Sequence, residues 1–248
     1  FQKRDKDRLS ALKTAAQDAR YPLAPWIDYW DLNSRLGEVS APEVEAFYAR
    51  WPGSYVEDRL RNDWLLELGR RRDWAGVARE YPRFRMDDDR EVTCYALLAA
   101  QQSGQSVTDA ARKAWMAQKE ADNGCQLLAQ TLLDARQFSD TDVWRKLRQA
   151  VEANRQKQAR AVAGLLGDGV AKPLAEVFDN PARYLARKAG SGNRREDGLT
   201  ALALARLAAG DPAMAAKFVE IFKPLGFHYV TLDLQGYRQG SLNEAITR

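Results

Sequence analysis

His228 is the only histidine of this chain, and Cys94 and Cys125, 31 positions apart, are its only cysteines. That inventory limits the chemistry. One imidazole excludes most general-base schemes other than those run by carboxylates, and a His/Cys metal site lacks ligands. The 34 carboxylates do not single any one out. The sequence holds no G-x-S-x-G, no H-E-x-x-H and no Walker loop, and GDG at 167–169 is a lone turn. No catalytic residue is assigned, and neither a metal nor a cofactor is expected. The cysteines sit on or at the start of helical patterns, in EVTCYALLA and GCQLLAQ. Two free buried thiols and a staple between two helices are both open; the even count favours the staple. Closing a loop of about 30 residues would add roughly 3–4 kcal/mol in the chain-entropy picture, outside a reducing cytosol.

Binding chemistry leaves more traces. RLRNDWLLELGRRRDW carries Arg59, Arg61, Arg70, Arg71 and Arg72. Glu57, Asp58, Asp63, Glu67 and Asp73 interleave with them, so this stretch reads as an ion-paired helix surface. RKLRQAVEANRQKQARA is different: Arg145, Lys146, Arg148, Arg155, Lys157 and Arg160 face a single Glu152. Arg145, Arg148, Arg155, Lys157 and Arg160 are the candidate glycan- or anion-facing residues. They have no interleaved aromatics and no recognised motif, so nucleic acid is not an expected partner. In RYPLAPWIDYWDLNSRL, Pro22 and Pro25 form a rigid elbow before a helix. Trp26, Tyr29, Trp30 and Leu36 share one face of that helix, with Asp28, Asp31, Asn33 and Arg35 on the other. The three rings are either pegs in the core or a platform on which sugars stack.

The elements that must position these residues read as helices. The 248 residues are 45% hydrophobic and 29% charged, with a net charge of +4 and a pI near 9.0. That is enough apolar material for a core, and the basic balance suits an anionic partner. No run approaches the roughly 18 apolar residues of a membrane span. The charged pattern FQKRDKDRLSALKTAAQDA is unlike a secretory leader, so the sequence reads as starting inside a mature protein. Periodicity predicts helices near 5–19, 25–36, 42–50, 55–71, 74–80, 91–103, 107–120, 124–136, 141–153, 156–166, 170–178, 180–189, 195–208 and 212–224. Expected caps include Ser40 or Pro42, Asp140 or Thr141, and Asp211 before Pro212. Small residues mark the buried stripes, as in stacked helical hairpins, and no strict 34-residue repeat is present. The expected fold is all-α: an irregular α-superhelix over 1–217, followed by an atypical tail over 218–248. In that tail, alternation through His228 to Leu234 with Gly236 and Gly240 reads as a strand and a turn.

Several segments carry a resemblance. DARYPLAPWIDYWDLNSRL is similar to the YPL-x-P-[YW]-x-x-Y segment of soluble lytic murein transglycosylases of Gram-negative bacteria. VEAFYARWPGS, LRNDWLLELGRRRDWAG, CYALLAAQQSG, ARKAWMAQKEADNGCQLL and NPARYLARKA follow in the same order. The match runs over about residues 5–215 and is densest over 20–130. The resemblance implies a superhelical, U-shaped region forming part of a ring through which glycan strands of peptidoglycan pass. It also implies a periplasmic home and a cystine between Cys94 and Cys125.

In that family catalysis belongs to a separate lysozyme-like domain, marked by a Glu-Ser pair, a Gly-Leu-Met-Gln motif and an Ala-Tyr-Asn-Ala-Gly motif. None occurs here, so the chain alone is expected to be inactive. The implied role is to position glycan for a catalytic domain supplied elsewhere; the alternative is a helical protein–protein scaffold without glycan affinity. The tail GFHYVTLDLQGYRQGSLNEA is similar instead to the C-terminal end of PP-loop ATP-dependent sulfur transferases. Their Ser-Gly-Gly-x-Asp-Ser nucleotide loop is absent, so no ATP activation is expected.

Overall fold

The computed structural model describes residues 11–16, 21–188 and 194–222, and all regular structure among them is helical. Contacts divide the chain into two units. The first runs to Gln118 and takes in Asp122–Ala135; the second comprises Lys119–Ala121 and everything from Arg136 onward. The strand expected around 228–234 lies outside the described residues.

In the first unit, residues 11–16 are helical, and seven helices follow. They are α1 (Ala24–Ser34), α2 (Ala41–Arg50), α3 (Tyr55–Arg71), α4 (Trp74–Glu80), α5 (Arg90–Gln102), α6 (Thr108–Ala117) and α7 (Asn123–Asp134). Side chains set their starts. Pro25 sits in the first turn of α1, where its missing N–H costs nothing. Ser40 and Glu43 close a reciprocal capping box on α2, and Ser54, Asp73, Asp89 and Asp122 accept from first-turn amides of α3, α4, α5 and α7. Two ends differ from expectation. The 25–36 helix stops at Ser34 and passes into a 3-10 turn, Leu36–Glu38. The 107–120 helix stops at Ala117, because Gln118 turns extended and its side-chain amide bonds Asp122.

Helix α5 touches α3, α4, α6 and α7, its neighbours and next neighbours on both sides. Helices α3 and α5 pack on each other, and Val56, Leu60, Trp64, Leu65 and Leu68 of α3 and Val92, Tyr95 and Leu98 of α5 are all nearly free of solvent. Tyr95 is the pivot. A Cβ built on Gly69 would lie 2.3 Å from its ring, and one on Gly124 would lie 2.9 Å from the Glu91 carbonyl oxygen. Beside that ring, Cys94 and Cys125 form a disulfide joining α5 to α7, with Cα atoms 4.9 Å apart. Gly69→Ala is therefore expected to destabilise the protein by about 1–3 kcal/mol in urea unfolding, because overpacking outweighs alanine's helix preference of roughly 0.5–1 kcal/mol. An unchanged or raised midpoint would show that the ring has room to move.

The second unit contains α8 (Asp140–Glu152), α9 (Gln156–Gly164), α10 (Asp168–Asp179), α11 (Pro181–Lys188), α12 (Arg194–Gly210) and α13 (Pro212–Phe222). The cap of α8 is Ser139, in a capping box with Asp142, one residue earlier than the expected Asp140. Asp211 caps α13 as expected, accepting from Met214 N at 2.9 Å. Small residues mediate the packing: Ala150, Ala159, Ala163 and Ala203 are fully buried, and Gly198 lies under the Trp144 ring. Successive helices again pack pairwise, and α12 reaches back to both α8 and α10.

Candidate binding surfaces

Helix α1 turns its carboxylates inward, against the sequence expectation that Asp28 and Asp31 lie on its solvent face. Asp28 is fully buried and Asp31 nearly so. Lys13 Nζ lies 2.8 Å from Asp28, and Arg50 Nε and Trp51 Nε1 each donate to it at 2.8 Å. Burial alone would raise the pKa of this carboxyl, but the bonds from Arg50, Lys13 and Trp51 outweigh it and hold the pKa below the ordinary value. Hydrophobic periodicity misassigned this face because it counts any charge as solvent-seeking, whereas a paired charge can be buried.

The aromatic trio stays in contact, the Tyr29 ring edge-on to Trp26 at 5.8 Å, but its members differ in exposure. Tyr29 belongs to the core: its hydroxyl donates to Asp63 at 2.5 Å and accepts from Asn33 at 2.8 Å. Burial and then Asp63 push its pKa upward. Trp26 and Trp30 are half-buried, with ring centroids 6.0 Å apart, as their i, i+4 spacing allows. A third ring joins them. Tyr55, at the start of α3, lies 5.8 Å from Trp26 and is 61% exposed. The sequence reading missed Tyr55 because it comes from another helix. Tyr21 and Leu23 are also about half exposed on the elbow leading into α1.

The two basic stretches differ as their neighbours predict. On α3, Arg61 contacts Glu57 at 2.7 Å and Glu80 at 2.6 Å, Arg71 contacts Glu67 at 2.8 Å, Arg70 contacts Glu67 at 3.4 Å, and Arg59 reaches Asp63 at 3.7 Å. Arg72 ends the helix in the left-handed region, φ 59°. In the second unit, α8 and α9 form a hairpin that carries the other cluster. Arg145, Arg148, Lys157 and Arg160 are exposed and Arg155 is half-buried. None of these five forms an ion pair among the described residues. Lys146 instead turns inward and bonds Gln149 at 3.2 Å.

One polar cleft of about 260 Å³ opens in the first unit, lined by Arg59, Asn62, Asp88, Asp89, Arg90 and Gln118. Behind it stand Glu91 and Asp122. Burial raises both pKa values, with Asp122 adding to the rise at Glu91 and Asp89 to that at Asp122. No group of three or more His, Cys, Asp and Glu among the described residues could hold a metal. No described helix is long and apolar enough to cross a membrane.

No family profile matches the chain, and no curated protein matches it. Solved structures do. The lytic transglycosylase Slt of Pseudomonas aeruginosa, as an inactive mutant, aligns over 90% of this chain with 24% identity and a TM-score of 0.57. The 70 kDa soluble lytic transglycosylase Slt70 of Escherichia coli aligns over 93% with 21% identity and a TM-score of 0.62. A 70 kDa soluble lytic transglycosylase in complex with bulgecin A gives the same figures. The chain spans 36–40% of the length of these proteins. The order of sequence segments and the packing of helices thus point the same way: this chain has the all-α fold carried by the helical part of the soluble lytic transglycosylases.

Proposed function

We propose that this chain is the non-catalytic helical region of a periplasmic peptidoglycan lytic transglycosylase, positioning glycan strands for a lysozyme-like catalytic domain that its sequence does not contain. The observation that carries this reading is the fold shared with soluble lytic transglycosylases over nine-tenths of the chain. The disulfide supports an oxidising compartment. Two surfaces have the chemistry that peptidoglycan would require. The unpaired guanidinium and ammonium groups of the α8–α9 hairpin suit the carboxylates of stem peptides, and charge-assisted bonds to them would be worth more than neutral ones. The Trp26–Trp30–Tyr55 cluster offers apolar ring faces of the kind that cover the C–H faces of sugars.

Both contacts are solvent-facing, so binding is expected to be weak and to fall with salt. Purified sacculi should retain the protein at low ionic strength and release it at high ionic strength. Reversing Arg148 and Arg160 together (Arg148→Glu, Arg160→Glu) should lower retention several-fold while the far-UV spectrum stays helical. No retention at low salt would overturn the glycan role and leave a helical protein–protein scaffold as the reading.

A further inference from the structure

The starts of α5 and α7 bring two carboxylates onto one strip of backbone. Glu91, in the first turn of α5, accepts from Gly124 N at 3.2 Å, and Asp122, the cap of α7, accepts from Cys125 N at 2.7 Å. Those amides belong to consecutive residues, so the two carboxylates are near neighbours in a half-buried seam. Asp89, the cap of α5, stands beside them and accepts from the amide of Glu91 itself at 2.9 Å. Among the described residues none of these three carboxylates forms an ion pair with a Lys or Arg.

The groups facing the seam leave that charge uncompensated. From α3, Asn62 is a neutral donor to Asp89, Arg59 lines the cleft at Asp89 together with Arg90, and the charge of Arg70 is felt at Tyr95. From α4 comes the Trp74 ring, 6.4 Å from that of Tyr95. After α6, Gln118 donates its side-chain amide to Asp122, and within α5 the Tyr95 hydroxyl bonds Glu91. Helix starts favour negative charge, but burial outweighs that preference here. Burial and then the charge of Asp122 push Glu91 above its ordinary pKa; burial, joined by Asp89, does the same at Asp122 despite the bonds from Cys125 and Gln118.

Glu91 is where a proton fits. Both oxygens of Asp122 are taken, by Cys125 N and by Gln118, whereas Glu91 meets Gly124 with Oε1. A proton on Oε2 keeps that bond, and a tyrosine hydroxyl accepts as readily as it donates. We propose that Glu91 is a proton-operated clamp between α5 and α7: protonated, it holds the start of α7 without repelling Asp122; ionised, it loosens the joint. The proton comes from water and returns to it. The fold binds this proton more tightly than the unfolded chain does. The joint is therefore firm below the pKa of the unfolded carboxyl and loses stability as pH rises through the raised one. Asp28 and Glu43 work in the opposite direction, but their lowered pKa values confine them to more acid solution. The clamp is independent of the glycan surfaces: failure of sacculus retention leaves it untouched, and its own failure leaves the glycan role standing.

The test uses the full chain with its disulfide intact. Carbon-13 carboxyl resonances followed with pH should place the Glu91 midpoint above the ordinary 4.5. Hydrogen exchange, corrected for the intrinsic pH dependence of amides, should show Gly124 N–H and Cys125 N–H losing protection about tenfold between about pH 5 and about pH 7.5. Tenfold is the change for each unit by which the folded midpoint exceeds the unfolded one. Glu91→Gln keeps an acceptor for Gly124 and carries no charge, so its protection should stay at the acid level throughout. A Glu91 midpoint at or below 4.5, no loss of protection in the native protein, or the same loss in Glu91→Gln would overturn the clamp.

Discussion

Arg61→Ala is expected to destabilise the first unit by about 3–5 kcal/mol, among the largest effects of any single substitution in the chain. The Arg61 side chain is 1% exposed, between Glu57 and Glu80, and its guanidinium stacks 4.0 Å from the centre of the Tyr48 ring. Truncation strips Glu80, itself 2% exposed, of its shortest ion pair. Arg79 and Arg83 remain 3.6 Å away from its other oxygen, but both are about half exposed and compensate poorly. The penalty is the desolvation of a stranded carboxylate, not the worth of one salt bridge. Two variants separate those ideas. If stranding dominates, Arg61→Met combined with Glu80→Leu should recover most of the loss, since an apolar pair of similar volume removes both charges. A double variant as unstable as Arg61→Ala would instead assign the cost to lost packing and to the Tyr48 contact. Urea midpoints followed by circular dichroism read both outcomes.

Removing the disulfide comes next in size. Replacing Cys94 and Cys125 with alanine opens a loop with a sequence separation of 31. The chain-entropy picture then gives a loss of roughly 3–4 kcal/mol, which for a unit of this size lowers Tm by roughly 10 °C. The bridge joins α5 to α7 beside Tyr95, so the loss should be local. Hydrogen exchange should rise first in peptides covering α5 and α7, with α10 and α12 protected as before. Reduction of the native protein should reproduce the same pattern. Unchanged Tm in the double variant would mean that the close packing around Tyr95 already constrains the two helices without the bridge.

Much of the architecture was written locally. Proline and glycine breaks, Ser and Asp caps, and small-residue stripes act over a turn or two, and such signals survive in a one-dimensional string. Helices α2, α3 and α4 accordingly run almost where periodicity places them. The ion-paired face of α3 was legible for the same reason, since Glu57 and Arg61, or Glu67 and Arg71, are four residues apart on one helix. The inventory of one histidine and two cysteines narrowed the chemistry before any fold was known.

Only the tertiary structure decided what lies between distant segments. Asp28 is inward because Lys13, Arg50 and Trp51 converge on it from other elements. Tyr55 of α3 adds an exposed ring beside Trp26, while Tyr29 keeps its ring edge-on to Trp26 and turns its hydroxyl to Asp63. The cleft around Asn62 gathers residues from α3, from the turn before α5 and from the end of α6, and no spacing rule joins positions 59, 90 and 118. The physical reason is the same throughout. Hydrophobic periodicity reports where the apolar groups of one helix go, but the fate of a polar group depends on which partner the rest of the chain brings within bonding distance.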